Sequence, residues 1–275
     1  MKTKSALPWF GSDASIAADL GSLLNRCKHV TIPFAGGLSI LPHLPARAVV
    51  ANDLHCHAIN FYRTLSDDRE GFRDDLIDLC RDTLSHPDQM REAVELLDAY
   101  ADPSLNVEVA WAFWAYCWLG RKGQAGTRKA GRKPSVRWTA NGGTNGTRLA
   151  SAVADLDAWA EHFRRCEFTC LDYAEVLAKV KDRPDCGIYC DPPWPDAGDD
   201  YVHRFTEQDH RTLAWMLTEF DETAIVVRYG DHPLIREIYA DCRWTILEAS
   251  SRTQANATIG ELWIIRADQP RPEGW

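Results

Sequence analysis

The sequence predicts an α/β fold, a mostly parallel sheet covered by helices on both faces, on three observations. Six apolar runs rich in β-branched residues recur along the 275 residues: "HVTIPF", "RAVVANDL", "CGIYC", "ETAIVVRYG", "RWTILEAS" and "ELWIIRA". Helical patterns stand between most of them, the alternation of a doubly wound sheet rather than of a sandwich or a bundle. The length suffices for one large domain with an insertion, and 45% hydrophobic with 26% charged residues describes a folded chain able to bury a core.

Each element follows in order. "HVTIPF" reads as the first strand and runs into the paired glycines Gly36 and Gly37. "RAVVANDL" is the second strand, ending on Asp53 and Leu54, with a helix over about 55 to 65 behind it. Then "REGFRDDLIDLCRDTL", "DQMREAVELLDAYA" and "LNVEVAWAFWAYCWLG" are three helical patterns with no strand between them, which marks a helical insertion. Trp111, Trp114 and Trp118 repeat at helical spacing and read as core packing. After them "RKGQAGTRKAGRKPSVRWTANGGTNGTR" is a loop rich in Gly, Thr, Asn and cations. "CGIYC" returns to the sheet, and Thr206 with Asp209 three residues on opens the next helix as a capping box. The two-part domain reading is therefore 1–65 with 151–275 as the sheet domain and 66–150 as the insertion.

Composition narrows the function. No window approaches the roughly 18 unbroken apolar residues of a membrane span, and "MKTKSALPWFGSD" carries no long apolar stretch, so a cytoplasmic protein is expected. The nine cysteines read as reduced core residues rather than a disulfide framework. Neither Cys166/Cys170, Cys186/Cys190 nor His55/His57 has the ligand spacing of a zinc site, so no metal is expected. Between Glu108 and Asp155 there is no acid, whereas Arg121, Lys122, Arg128, Lys129, Arg132, Lys133, Arg137 and Arg148 supply eight cations. Taking those eight from a net charge of −9 leaves the remainder near −17. A basic insert on an acidic body suits a polyanion gripped at one place and repelled elsewhere.

Three clusters carry chemistry. Gly36 and Gly37 at a strand end allow a sharp turn where open α/β sheets bind nucleotides, and Asp53 at the next strand end can accept from ribose hydroxyls. The third is "CDPPWPDAGDDY". Pro192 and Pro193 fix φ and cannot continue a ladder, so Asp191 and a proline carbonyl are held at the carboxyl edge of the sheet. Both can accept from one amino group, freeing its lone pair for attack, while Trp194 offers a flat face to a planar ring. For a base inside a duplex this requires extrusion from the stack.

These segments, with "PWFGS", "INFYRTL", "LDYAEVL", "YVHRFTEQDHRTL" and "GELWIIR" in order, resemble the Dam-type adenine-specific DNA methyltransferases, especially phage-borne ones. The resemblance implies a Rossmann-like doubly wound methyltransferase sheet, S-adenosylmethionine as cofactor, and adenine in double-stranded DNA as target. It assigns cofactor binding to Phe34, Ala35, Gly36, Gly37, Asp53, Leu54, Asp172 and Tyr173, with Trp9, Phe10 and Gly11 near cofactor or target. It assigns catalysis to Asp191, Pro192, Pro193 and Trp194, target recognition to the insertion with its basic loop, and closure over a flipped base to Tyr201, His203 and Phe205. A monomer or weak dimer is expected. Trp194 stands where the family usually has tyrosine, Ile32 where many members have an acid, and Asp13 near the place of a usual lysine. These departures leave open an RNA or single-stranded DNA adenine methyltransferase, or a binding module that keeps the fold without the chemistry.

Overall fold

The structure is a computed structural model and describes residues 5–12, 15–69, 71–100, 105–120, 126–127, 144–195, 201–252 and 258–270. In chain order the elements are α1 (Ala17–Ser22), β1 (His29–Ile32), β2 (Ala48–Asn52), α2 (Cys56–Ser66), α3 (Phe72–Arg81), α4 (Pro87–Ala99), α5 (Val107–Leu119), α6 (Asn145–Val153) and α7 (Leu156–Phe163). They continue with β3 (Cys166–Thr169), α8 (Tyr173–Leu177), β4 (Cys186–Cys190), α9 (Glu207–Leu217), β5 (Ala224–Gly230), α10 (Pro233–Ile238), β6 (Trp244–Arg252) and β7 (Thr258–Arg266). Two compact units divide the chain: Met1–Ser12, Gly36–Ser39 and His55–Cys170 form the first; Asp13–Ala35, Ile40–Leu54 and Leu171–Trp275 the second.

Of the seven strands among the described residues, the second unit holds six, in the order β2-β1-β4-β5-β7-β6. β1 pairs in parallel with β2 (Val30 opposite Val49) and with β4 (Val30 opposite Gly187), and β4 with β5 (Ile188 opposite Ile225). β7 runs antiparallel to both β5 (Arg228 opposite Trp263) and β6. All five residues of β4 are buried, as a strand covered on both faces requires. The winding reverses between β1 and β4, and such a switch point opens a crevice at the strands' carboxyl ends. The segments after β1 and β4 are "PFAGG" and "DPPW". Ile188, Val227, Tyr229, Leu213, Leu217, Tyr239 and Ile264 belong to the core of this unit.

The first unit contains α2 to α7 and β3. α5 is apolar on every side past Glu108 in its first turn, apart from the half-buried Tyr116, and ten of its 13 residues are buried, Trp111, Trp114 and Trp118 among them. An all-apolar helix must be surrounded, so the tryptophans are core. Trp111 Nε1 donates to Thr83 Oγ1 at 2.8 Å and Trp118 Nε1 to the Ala6 carbonyl at 3.1 Å, which satisfies two buried indoles. The end of the basic segment is helical, because Thr144 and Thr147 form a reciprocal capping box for α6. The anticipated box at Thr206 and Asp209 caps α9 in the same way.

The expectation of reduced cysteines needs correction. Cys56, at the start of α2, is disulfide-bonded to Cys170, with Cα atoms 5.5 Å apart across 114 residues of chain. A pairing so distant leaves no trace in local spacing. The other seven cysteines are free. Burial, the main influence on each, pushes the Cys27 thiol up to about 11 and Cys166 up to about 12, so these two remain thiols near neutrality.

Candidate active site

The site begins with one buried amide. Asn52, 1% exposed at the last position of β2, donates from Nδ2 to the Pro33 carbonyl at 3.0 Å and to the Leu171 carbonyl at 2.9 Å. Its Oδ1 accepts from the Leu171 backbone at 2.9 Å, and its own carbonyl accepts from Ala35 N at 2.7 Å. Asn52 therefore fastens together the strand ends carrying Phe34 and Ala35, Asp53 and Leu54, and Asp172 and Tyr173. Phe34, Tyr173 and Phe205 close into a triangle of rings with centroids 5.4 to 5.5 Å apart. Tyr173 is pushed up to about 12, first by burial and then by Asp209 and Asp172, so it stays a neutral phenol. Asp172 caps α8 by accepting from Ala174 N at 2.8 Å. Asp53 is half-buried and Leu54 is exposed.

At the end of β4 the second half of the site is charged. Arg228, on β5 and 3% exposed, donates from Nη1 to Asp191 Oδ2 at 2.8 Å. Its Nε and Nη2 donate to the two oxygens of Glu261 at 2.9 and 2.6 Å, the bidentate fork of a strong ion pair. Glu261 also accepts from Trp263 Nε1 at 3.2 Å. The Arg228 guanidinium lies 5.1 Å from the Trp194 ring centroid, and Trp194 Nε1 reaches Asp191 Oδ1 at 3.4 Å. Burial works to discharge Arg228, but Asp191 and Glu261 outweigh it and hold the guanidinium well above the ordinary arginine value. Gly230 leaves room for the indole: a Cβ there would fall 2.6 Å from Trp194 Cε3.

Within the first unit, Trp9 is packed against the glycine turn. A Cβ on Gly36 would lie 3.1 Å from Trp9 Nε1 and one on Gly37 2.9 Å from Trp9 Cβ, and Gly36 has φ of +49°. A Cβ on Gly126, at φ +81°, would lie 2.5 Å from the far edge of the same indole. The Tyr62 hydroxyl donates to the Gly36 carbonyl. Phe10 is half-buried and Gly11, at φ +72°, is exposed.

A family model for D12 class N6 adenine-specific DNA methyltransferases matches residues 9–254. The chain belongs to this family. It is 23% identical over 256 residues to the DNA N-6-adenine-methyltransferase of Escherichia phage P1, covering 86% of this chain but only 31% of that protein. Among solved structures, an O-methyltransferase from Bacillus cereus in complex with SAH aligns over 94% of this chain and 84% of its own at a TM-score of 0.40 and 10% identity. Protein LPL1258 from Legionella pneumophila aligns over 94% of this chain and 86% of its own at a TM-score of 0.34 and 10% identity.

In this D12 class chain the structure gathers Phe34, Ala35, Asp53, Leu54, Asp172 and Tyr173 around Asn52, and Asp191 with Trp194 around Arg228. Tyr201 is half-buried and His203 exposed on the approach to α9, while Phe205 joins the aromatic triangle. Arg121, Lys122, Arg128, Lys129, Arg132, Lys133 and Arg137, and also Asp13, lie outside the described residues. Arg148, on α6, places its guanidinium 5.8 Å from the Trp118 ring. His55 and His57 have rings 5.9 Å apart, and no group of three or more potential metal ligands occurs among the described residues. Among those residues no helix is long and apolar enough to cross a membrane. Sequence reasoning missed Asn52, Arg228 and Glu261, whose signal is a polar or charged residue inside an apolar strand run, costly unless paired.

Proposed function

We propose that this D12 class chain transfers a methyl group from S-adenosylmethionine to the exocyclic 6-amino group of adenine at a specific site in double-stranded DNA. The observation that carries the reading is Asp191 at the carboxyl end of β4, beside the switch point, with its carboxylate fixed by Arg228. The Asp191 carboxylate and the Pro192 carbonyl accept the two N–H bonds of the amine. Pro193 holds the turn and Trp194 stacks on the base, whose extrusion from the duplex costs a few kcal/mol. With the cofactor bound, the amine held by Asp191 and the Pro192 carbonyl would present its lone pair to the methyl group, the sulfur would keep the electrons of the broken bond, and the extra proton on nitrogen would pass to water, so no strong base is needed.

The residues around Asn52 fit the cofactor. Asp53 offers an acceptor for ribose hydroxyls, Phe34 and Tyr173 an apolar wall for a planar ring, and Asp172 a second acceptor beside it. The bound cofactor supplies an electrophilic methyl group. Ala35 and Leu54 line the adjoining backbone, and the turn of Gly36 and Gly37, braced by Trp9, continues from it in sequence. The basic segment within 66–150 supplies cations for phosphates, and recognition of the target sequence is assigned to that region.

The test separates the two halves of the site. Asp191→Ala should lower single-turnover methyl transfer by roughly a thousandfold or more, as expected when a group acting on the reacting amine is lost. Calorimetry should find S-adenosylmethionine affinity within threefold of the parent. Transfer at the parent rate by the variant would refute the assignment.

A further inference from the structure

The proposed reaction uses Asp191 and Trp194, and a single side chain of β5, Arg228, touches both. Arginine is a poor choice for the middle of a buried strand, where "AIVVRYG" is otherwise apolar or aromatic. Its cost is met only because every arm of the guanidinium has a use. One edge forks onto Glu261, itself 1% exposed on β7 and tied to Trp263 Nε1. The remaining Nη1 reaches Asp191, and the guanidinium carbon lies over the Trp194 ring. Arg228 and Glu261 stand on paired strands, opposite Trp263 and Gly230 respectively, so the fork is anchored to the sheet and not to a loop.

We infer that Arg228 is a positioning residue that locks the Asp191 carboxylate and the Trp194 indole into one rigid target-amine pocket, with Gly230 as the space that admits the indole. The inference rests on the proposed adenine-methyltransferase reading. The prolines between Asp191 and Trp194 fix the backbone only, and a single 3.4 Å contact joins the two side chains, so the carboxylate and indole rotamers need a further anchor. Arg228 touches both at once. The larger indole in place of the family's usual tyrosine then depends on two neighbouring residues of β5, a cation beneath it and a missing Cβ beside it.

Two variants test this through different atoms. Arg228→Lys keeps the charge but cannot fork onto Glu261 while reaching Asp191. Single-turnover methyl transfer to adenine-containing duplex DNA should fall on the order of 100-fold, the scale of an ångström of misplacement. S-adenosylmethionine and DNA dissociation constants should stay within threefold. Gly230→Ala leaves the ion pairs untouched and pushes on the indole, so it should slow transfer at least tenfold in the parent but less than threefold in a Trp194→Phe background, where the smaller ring gives way. Labelling the 11 tryptophans with 5-fluorotryptophan and identifying the Trp194 fluorine resonance by its loss in Trp194→Phe provides a readout independent of substrate. That resonance should shift and broaden in Arg228→Lys.

Parent-like transfer rates in Arg228→Lys, or in Gly230→Ala if the lysine variant does not fold, would overturn the positioning role while leaving the methyltransferase reading intact. A Trp194 resonance unmoved in a folded Arg228→Lys protein would overturn it equally. A parent protein that methylates no adenine removes the reading itself, and the role in transfer falls with it.

Discussion

α5 and β5 are both buried along nearly their whole length, and they use that burial in opposite ways. α5 spends it on tryptophans, phenylalanine, aliphatic residues and Cys117, whose only polar side-chain atoms are indole N–H groups and one thiol. β5 carries Arg228 among valines, bonded to two carboxylates and lying against an indole. An apolar helix of this kind stabilises without having to be exact, whereas a buried guanidinium contributes little net stability but fixes the groups it touches. The contrast teaches where to look for chemistry in this chain: in charges that packing alone would reject.

Changes that break the contrast differ in what they damage. Trp114→Ala on α5 should cost about 3–5 kcal/mol of unfolding free energy by leaving a large cavity, with transfer per folded molecule unchanged in denaturation and single-turnover measurements. A rate loss there would mean that α5 also positions the site. Asn52→Ala lies between the two cases. It should cost about 2–3 kcal/mol for stranded backbone partners and also weaken S-adenosylmethionine binding about tenfold by calorimetry. Unchanged affinity would show that the three strand ends hold their places without the amide.

An effect of comparable size, spread over a range of pH, is expected from acid. His210, on α9, is pushed down to about 4, chiefly by burial, and its Nδ1 pairs with the Tyr229 hydroxyl at 2.9 Å. Since the folded value lies below the unfolded one of 6.5, the unfolded chain takes the proton first. Stability is complete above about pH 6.5 and drains away as pH falls toward about 4, by up to about 3 kcal/mol. His210→Gln should flatten that part of the profile in denaturant titrations between pH 7 and pH 4. An identical slope in the variant would place the acid sensitivity elsewhere.

What was legible in the sequence follows the same division. The six apolar runs became strands, and "CGIYC" shows the reason most simply: a strand buried on both faces demands uninterrupted apolar residues. β3, "CEFT", was missed because only Phe168 of its four residues is buried, which leaves no run to see. The turn that carries Asp191 and Trp194 was legible because prolines mark it in place. Arg228 was not, because its meaning lies in partners 37 and 33 residues away along the chain. The pairing of Cys56 with Cys170 was hidden for the same reason. The glycine turn was read as room for a ligand, and the structure shows that Gly36 and Gly37 also make room for Trp9.

The central claim is a product, and identifying it is the most direct measurement. The purified chain should be incubated with methyl-labelled S-adenosylmethionine and duplex DNA, and the DNA digested to nucleosides and separated by mass. The account predicts label in N6-methyl-2′-deoxyadenosine alone, and roughly a thousandfold less of it, or lower still, when Asp191→Ala replaces the parent. Label in a cytosine nucleoside, or none in DNA under conditions where the cofactor binds, would contradict it.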